Sequence, residues 1–278
     1  MMSDIRKLRV WLLMGCMTLP AVSIALGQPQ TTPGADIAPF KAVYKLDFGP
    51  SNDKSPFKSG QGRLTVEFTG SRCTDYRMIR TVNSKLNTDK GPLVIQSEAT
   101  FAENPASSQF AFSLIEQANG RISRQYNLVA RKNDNGGATI TSRSLSSGKA
   151  ELPKGTSFPI QHERAVIAAA SAGRESLAIT VYNPEDTIAS IEQISYKFGP
   201  ENKSALPKGH PADIEALRDQ TRQRVEIIFR SQKTGKIRTL ERMTRFNNSI
   251  FTVSEALSED LRIKASLESL KLLPTKPC

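Results

Sequence analysis

The sequence predicts a mostly β protein with a single large antiparallel sheet that is curled into a spiral or barrel-like shape. It also predicts one buried helix near residues 159–172 and closure of the fold by a disulfide. Segments in which apolar and polar residues alternate recur along the chain, and clusters of Gly, Asn, Asp and Pro separate them. One Ala-rich segment departs from this alternation, and only two of the three cysteines lie beyond residue 27.

The N-terminal residues have the order typical of a secretory signal peptide. Arg6, Lys7 and Arg9 precede an apolar stretch over residues 10–26, and small residues around Gly27 lead into a polar segment. We therefore expect residues 1–27 to be removed on export to the periplasm of a Gram-negative bacterium. Two alternatives remain open: an uncleaved anchor helix, and lipidation of Cys16.

Removal of residues 1–27 leaves 251 of the 278 residues, a length that suits one large β domain or two small ones. Residues 28–39 are rich in Thr, Pro and Gly and predict a flexible leader, and residues 40–278 predict a single β-rich domain. The whole chain carries a formal net charge of +11. A basic exported protein favours anionic partners such as a lipid headgroup, an acidic glycan or an acidic protein, whereas nucleic acid is not expected. No transmembrane segment is expected in the mature form.

The cysteine content predicts a disulfide between Cys73 and Cys278. An even number of cysteines in an oxidising compartment favours pairing, and a free thiol at the last residue of an exported chain would be reactive. The bridge would hold a C-terminal strand that could otherwise fray.

Alternation predicts about a dozen strands, and the change of period at residue 159 predicts the helix. In the first strand Phe40, Tyr44 and Phe48 share one face, with lysines on the other. Pro159 suits the first turn of the helix, and Gly173 is placed to end it. Outward-facing Lys and Arg differ from the apolar outer face of an outer-membrane barrel.

Motifs that carry catalysis, metal binding or cofactor binding are not found. The two histidines, His162 and His210, lie far apart in sequence and lack the spaced ligands that a metal needs. Neither a Gly-x-Ser-x-Gly motif nor a glycine-rich phosphate loop occurs. We therefore expect no catalytic residue, no metal and no cofactor, and predict that the protein is not an enzyme.

A basic stretch over residues 218–245 is the candidate binding surface. The arginines proposed for an anion-binding or partner-binding patch are Arg222, Arg224, Arg230, Arg238 and Arg242. Arg binds carboxylate and phosphate with two parallel hydrogen bonds, which favours this role. The alternative is the solvated outer face of a hairpin.

Several features together resemble the EipB-like family of periplasmic cell-envelope integrity proteins of alphaproteobacteria. These are the block from Ser157 to His162 that leads into the Ala-rich helix, the following strand over residues 177–182, and the placement of Cys73 and Cys278. The resemblance implies a spiral of β-strands with an internal disulfide and a role in envelope maintenance without a known reaction. It also implies a Gly-containing turn after Tyr182, where this chain has Asn-Pro-Glu-Asp.

Three functions are consistent with these observations. The first is non-enzymatic support of cell-envelope integrity by binding of a protein or an envelope component. The second is a carrier or sensor of lipid or lipoprotein segments, which would lie in an apolar cleft of the curled sheet. The third is an envelope hydrolase of unknown type, for which His162 is the candidate residue.

Overall fold

The computed structural model describes residues 37–142 and 148–275. The predicted signal peptide over residues 1–27, the leader as far as residue 36, and Cys278 lie outside the described residues. Within them the chain forms one antiparallel sheet of 14 strands and two helices, α1 and α2. The prediction of a mostly β protein with one large antiparallel sheet is confirmed.

The strands fall into two groups along the chain, on either side of the longer helix. The first group is β1 (Phe40–Pro50), β2 (Phe57–Ser71), β3 (Thr74–Thr88), β4 (Gly91–Glu103), β5 (Gln109–Ala118), β6 (Arg121–Lys132), β7 (Ala138–Ser142) and β8 (Lys149–Leu152). Helix α1 (Pro159–Ser171) follows. The second group is β9 (Ser176–Tyr182), β10 (Ile191–Asn202), β11 (Arg222–Ser231), β12 (Ile237–Phe246), β13 (Phe251–Leu257) and β14 (Leu261–Leu272), with the short α2 (Glu215–Arg218) before β11.

Each strand pairs with its neighbours in sequence, except that β8 and β9 do not pair with each other, and β1 also pairs with β14. This pairing joins the two groups into one sheet, with β8 at one edge and β9 at the other. The sheet curls until the edges approach each other: Ser157, which follows β8, forms a parallel bridge with Val181 of β9. We call strands β1–β8 the first half and strands β9–β14 the second half.

Alternation along the strands determines which face is buried. In β1 the side chains of Phe40, Tyr44 and Phe48 are buried, as predicted, whereas Lys41 and Lys45 are exposed. The first half packs its inner face into one apolar core, and β9–β11 pack with α1 into a second. The inside of the curl is therefore filled by the chain's own side chains.

Helix α1 begins and ends where the sequence predicts. Pro159 occupies the first turn, and the side chain of Gln161 accepts a hydrogen bond from the Phe158 N–H at 3.3 Å. At its C-terminus Gly173 has φ +65, and the Arg174 N–H donates to the Ala169 carbonyl at 3.1 Å. This is a Schellman ending, which requires a residue that tolerates positive φ.

The predictions from alternation were wrong in detail at several points. Strand β8 and helix α2 were not predicted, because four-residue elements carry too little periodicity. Alternation places a strand from residue 188, but β10 begins at Ile191, since residues 183–190 form a loop whose first three residues are buried. Ile122, which alternation places on one face with Leu128 and Ala130, is 62% exposed because a register shift and the hairpin end place it at the rim. Neither α1 nor α2 is long and apolar enough to cross a membrane.

A buried carboxylate fixes the N-terminus of α1 to the first half. Glu103 of β4 accepts hydrogen bonds from the Ile160 N–H at 3.0 Å and from the Ser107 hydroxyl at 2.6 Å. Burial raises the Glu103 pKa from 4.5 to about 7, although these hydrogen bonds oppose the rise. Burial also raises the pKa of Glu192 and of Glu241 to about 7.

These raised pKa values predict that the protein is less stable in mild alkali. A carboxyl whose folded pKa is raised stabilises the fold below its unfolded pKa, and this contribution is lost as the pH rises through about 7. His162, whose pKa burial lowers to about 4, has the opposite effect, but only below its ordinary value of 6.5. The free energy of unfolding should therefore fall between about pH 6.5 and 8, and Glu103→Gln should make that fall shallower.

Urea unfolding at half-unit pH steps measures this dependence. The matched control is Glu255→Gln, which changes an exposed residue of β13 and should leave the fall as it is in the wild type. An unchanged slope in Glu103→Gln would contradict the burial of an ionisable carboxyl at the start of α1.

Candidate functional site: buried charges between the two halves

Three charged side chains meet around one small space on the inner face of the first half. They are Arg80 of β3, Glu116 of β5 and Arg124 of β6. Glu116 pairs directly with Arg124 across β5 and β6. The guanidinium binds both carboxylate oxygens, at 3.0 Å from Nε and 2.6 Å from Nη2. Because this is a bidentate pair with little exposure, its geometry is strongly fixed.

The loop over residues 183–190 crosses from the second half to reach these side chains. Arg80 forms an ion pair with Glu185, and Arg124 donates to the Glu185 carbonyl at 2.8 Å. The Tyr126 hydroxyl donates to the Pro184 carbonyl at 2.8 Å. Residues of β3 and β6 thus hold the loop that connects β9 with β10.

The sequence of the loop explains its conformation. Asn183 is buried, and its side-chain oxygen accepts hydrogen bonds from the N–H groups of Glu185 at 3.2 Å and Asp186 at 3.3 Å. This is the turn that Asn favours through its own side chain. Its main-chain N–H donates to Ser190 at 2.8 Å and closes the loop. The Asn-Pro-Glu-Asp sequence therefore builds a compact loop in which the two acidic side chains point to opposite halves.

The second half binds the same loop through Arg238 of β12. Its Nη1 lies 3.0 Å from Asp186 and 3.3 Å from Glu192 of β10. A register shift between β11 and β12 next to Arg230 turns Arg238 inward, where its side chain is 17% exposed. We name Arg80, Glu116, Arg124, Glu185, Asp186, Glu192 and Arg238 the interhalf cluster.

Burial dominates the electrostatics of the interhalf cluster. It raises the pKa of Glu185, against the charges of Arg80 and Arg124, which favour the ionised carboxylate. Burial also raises the Glu192 pKa to about 7, although Arg238 opposes it. Burial lowers the Arg124 pKa, but the hydrogen bond and charge of Glu116 outweigh it and the net shift is upward. Three guanidiniums therefore face four carboxyls, of which Glu192 readily takes up a proton.

A small space lies beside Arg80, Arg124 and Glu185. Val82, Ser97, Ala99, Leu114 and Glu116 complete its lining. It holds about 20 Å³, which is room for about one water molecule. The arrangement can therefore bind two halves of the sheet together and hold a water, whereas an acyl chain does not fit there.

A second buried cluster attaches α1 to the second half. The His162 Nε2 lies 2.7 Å from the Tyr196 hydroxyl of β10, and both side chains are buried. Glu163 accepts a hydrogen bond from Ser249 at 2.9 Å and lies 3.3 Å from Arg245. Burial lowers the His162 pKa to about 4, so its ring is neutral at ordinary pH. These contacts give His162 a packing role between helix and sheet.

The five arginines of the predicted patch do not form one surface. Arg238 belongs to the interhalf cluster, so its placement in the patch was wrong. Arg224 and Arg230 lie on the outer face of β11, as expected. Arg222 donates to the Ser204 hydroxyl at 3.2 Å and lies over the Phe246 ring, 5.9 Å from its centroid. Arg242 is exposed but forms an ion pair with Glu226 at 3.0 Å.

Arg242 also belongs to a row of alternating charges on the outer face. The row crosses β10, β11, β12, β13, β14 and β1 in that order. Its residues are Lys197, Glu226, Arg242, Glu255, Lys264 and Asp47, each opposite the next in the strand register. Opposite charges directly across neighbouring strands are mildly stabilising. The acidic residues of this row compensate the charge of Arg242. Among the described residues, by contrast, no carboxylate forms an ion pair with Arg224 or Arg230.

The remaining predicted site residues are the cysteines. Cys73 lies in the exposed turn between β2 and β3, where its N–H donates to the Ser71 hydroxyl at 3.2 Å. Cys278 lies outside the described residues, so the disulfide stays a prediction. In the ranges 37–142 and 148–275, no three His, Cys, Asp or Glu residues lie close enough to hold a metal.

The sequence reasoning missed most of the interhalf cluster. Arg80 lies between Met78 and Val82 on the inner face, and Arg124 precedes Tyr126 on the same face. A charged residue at an inward position of a strand is a signal that a partner must be buried with it. The alternation in the first half therefore indicated that Arg80 and Arg124 are buried with partners. It could not show that the partner of Arg80 is Glu185.

The Arg124–Glu116 pair should be worth far more than a matched exposed pair. Arg124→Met leaves Glu116 buried without its cation, and we expect a loss of about 3 kcal/mol in the free energy of unfolding. The control Arg242→Met removes the cation of an exposed cross-strand pair and should cost about 0.5 kcal/mol or less. Urea unfolding measures both changes, and equal losses would contradict the structural importance of the interhalf cluster.

Comparison with known proteins places this chain in a family. The chain is 24% identical over 151 residues to the cell envelope integrity protein EipB of Brucella abortus. That region covers 54% of this chain and 53% of the relative, so the match spans about half the length of each.

A crystal structure of a β-barrel-like protein of a domain of unknown function, also from Brucella abortus, has the same fold. Its TM-score is 0.78 at 19% identity, and the match covers 86% of this chain and 99% of that one. Residues 31–274 match the sequence profile of the family described as EipB-like. The chain belongs to the EipB-like family.

Proposed function

We propose that the protein supports the integrity of the cell envelope by binding a protein or another envelope component, without catalysing a reaction. Membership of the EipB-like family supports the envelope role, together with the similarity to a relative named as a cell envelope integrity protein. The predicted signal peptide supports action in the periplasm.

The observation that carries the binding role is the contrast between the two faces of the sheet. The inner face is filled by α1, the loop over residues 183–190 and apolar side chains. The outer face of β11 presents Arg224 and Arg230 without compensating carboxylates among the described residues. Binding on the outer face to an anionic group therefore agrees with the structure better than a lipid carried inside the curl.

A test of this proposal uses a strain that lacks the gene. Loss of the protein should sensitise the cells to detergent, and the wild-type gene should restore resistance. The double variant Arg224→Glu and Arg230→Glu should fail to restore it, because reversed charge repels an anionic group. Survival on a detergent gradient is the measurement.

The matched control is Arg77→Glu with Lys85→Glu, which reverses two exposed charges on β3 in the other half. This control should restore resistance fully. Rescue by both double variants would remove the β11 surface from the proposal, and normal resistance of the deletion strain would overturn the envelope role itself.

We also propose that Cys73 and Cys278 form a disulfide. Leu272 at the end of β14 lies opposite Phe40, and Phe40 lies opposite Phe68, so the end of β14 is two strands from β2. Two strand spacings are about 10 Å. The six residues 273–278 can span about 20 Å when extended, so the last cysteine can reach the turn that carries Cys73.

Intact mass spectrometry of the protein purified from periplasm tests the bridge. Under denaturing, non-reducing conditions its mass should be about two units lower than after reduction, because disulfide formation removes two hydrogens. Alkylation without reduction should add nothing to the main species. Two alkyl groups on unreduced protein would show that both thiols are free and would contradict the proposal.

A further inference from the structure

The outer edge of β9 offers backbone groups that no strand of the described residues uses. Antiparallel strands exchange hydrogen bonds at every second residue. On β9 the residues that exchange hydrogen bonds with β10 are the odd-numbered ones. The bonds at the two ends of this register show it: the Asn183 N–H donates to the Ser190 carbonyl, and the Phe198 N–H donates to the Glu175 carbonyl. The N–H and C=O groups of Ser176, Ala178, Thr180 and Tyr182 therefore point away from β10, towards the open edge.

Ser157 already occupies one position along this edge. Its N–H donates to the Thr180 carbonyl at 2.9 Å, and its carbonyl accepts from the Tyr182 N–H at 2.9 Å. Upstream of it residues 153–156 form a turn and not a strand, and the Thr156 N–H donates to the Pro153 carbonyl. The backbone of Ser176 and Ala178 and the N–H of Thr180 are left along the edge without a neighbouring strand of the described chain.

The two edges of the sheet differ in how they are protected. Strand β8 is four residues long, carries Lys149 and Glu151, and is followed by Pro153, all of which discourage addition of another strand. Strand β9 has the sequence SLAITVY, without a charge or a proline. Ser176 and Ala178 are its exposed side chains, and both are small enough to let another chain approach. Strand addition requires an exposed sheet edge, and β9 offers one that lacks the protection of β8.

We propose that an extended segment of a partner polypeptide adds to β9 along Ser176–Thr180, in line with the position of Ser157. Alternate side chains of that segment should be apolar, because their neighbours on the inner face are Leu177 and Ile179, which are buried. This inference rests on the proposed binding role and specifies its partner.

A second copy of this chain fits the edge less well than a single extended segment. The free stretch is about five residues, or about 17 Å of strand. Pairing of two such stretches buries far less than the roughly 1,000 Å² that a stable interface between two folded domains needs. An extended segment binds by main-chain hydrogen bonds and a few side chains, which suits a short edge.

Photo-cross-linking in living cells tests the edge directly. The photoreactive residue p-benzoylphenylalanine is placed at Ser176 or at Ala178, and the trapped segments are sequenced by mass spectrometry. Strand addition predicts that the two positions trap residues two apart in one segment of one partner. The same probe at Thr81, on the outer face of β3 in the middle of the sheet, should trap no such segment. Unrelated segments, trapped copies of this chain, or no product would each overturn the inference.

A proline variant separates the edge from the rest of the fold. Ala178→Pro deletes an N–H that β10 does not use, so the ladder within the sheet is kept. The product trapped from position 176 should fall about tenfold, since one main-chain hydrogen bond and the close approach are lost. The control is Lys149→Pro on β8, where the N–H of Lys149 likewise points away from β7, the neighbouring strand. This variant should leave the amount of product trapped from position 176 unchanged.

Thermal melting checks that both proline variants fold. If Ala178→Pro is unfolded, the two positions are exchanged. The photoreactive residue is then placed at position 178, and the proline substitution is Ser176→Pro. Detergent resistance restored by a folded Ala178→Pro variant would overturn the edge inference while the envelope role stands. Normal resistance of the deletion strain would instead remove the envelope role on which the inference rests.

Discussion

A curled sheet whose two edge strands do not pair must be held in its curled shape by other contacts. Beside the main-chain bridge of Ser157, these contacts include ion pairs: the loop over residues 183–190 places Glu185 against Arg80 and Asp186 against Arg238. Paired buried charges tolerate little displacement, because each partner would be left unsolvated without the other. The two halves therefore keep a fixed separation, and α1 and the two cores fill the space that this separation defines.

Much of the fold could be predicted from the sequence, because it depends on local periodicity. The inward positions of β1, the bounds of α1 and the glycine that ends it all follow from patterns over a few residues. The curled antiparallel sheet also followed, through the number of strands and the resemblance to a family. The short β8 and the late start of β10 did not, because four residues are too few for a period and an irregular loop has none.

The candidate site was far less accessible to sequence reasoning. Arg238 looked like one more arginine of a basic hairpin, and only the register shift beside Arg230 turns it inward. The pairing of Arg80 with Glu185 joins residues 105 positions apart, and no local pattern specifies such a contact. Conversely, the position of Arg224 and Arg230 on the outer face follows from simple alternation along β11.

The pairing of β1 with β14 has a consequence for how the molecule can be assembled. Leu272 lies opposite Phe40, so the contact most distant in sequence is at the centre of the sheet and not at its margin. Local hairpins can form early, but the two halves become one sheet only after the last strand is available. A chain that ends before β14 would carry two separate sheets, each with a newly exposed strand edge. Completeness of the C-terminus is thus a condition for solubility as well as for shape.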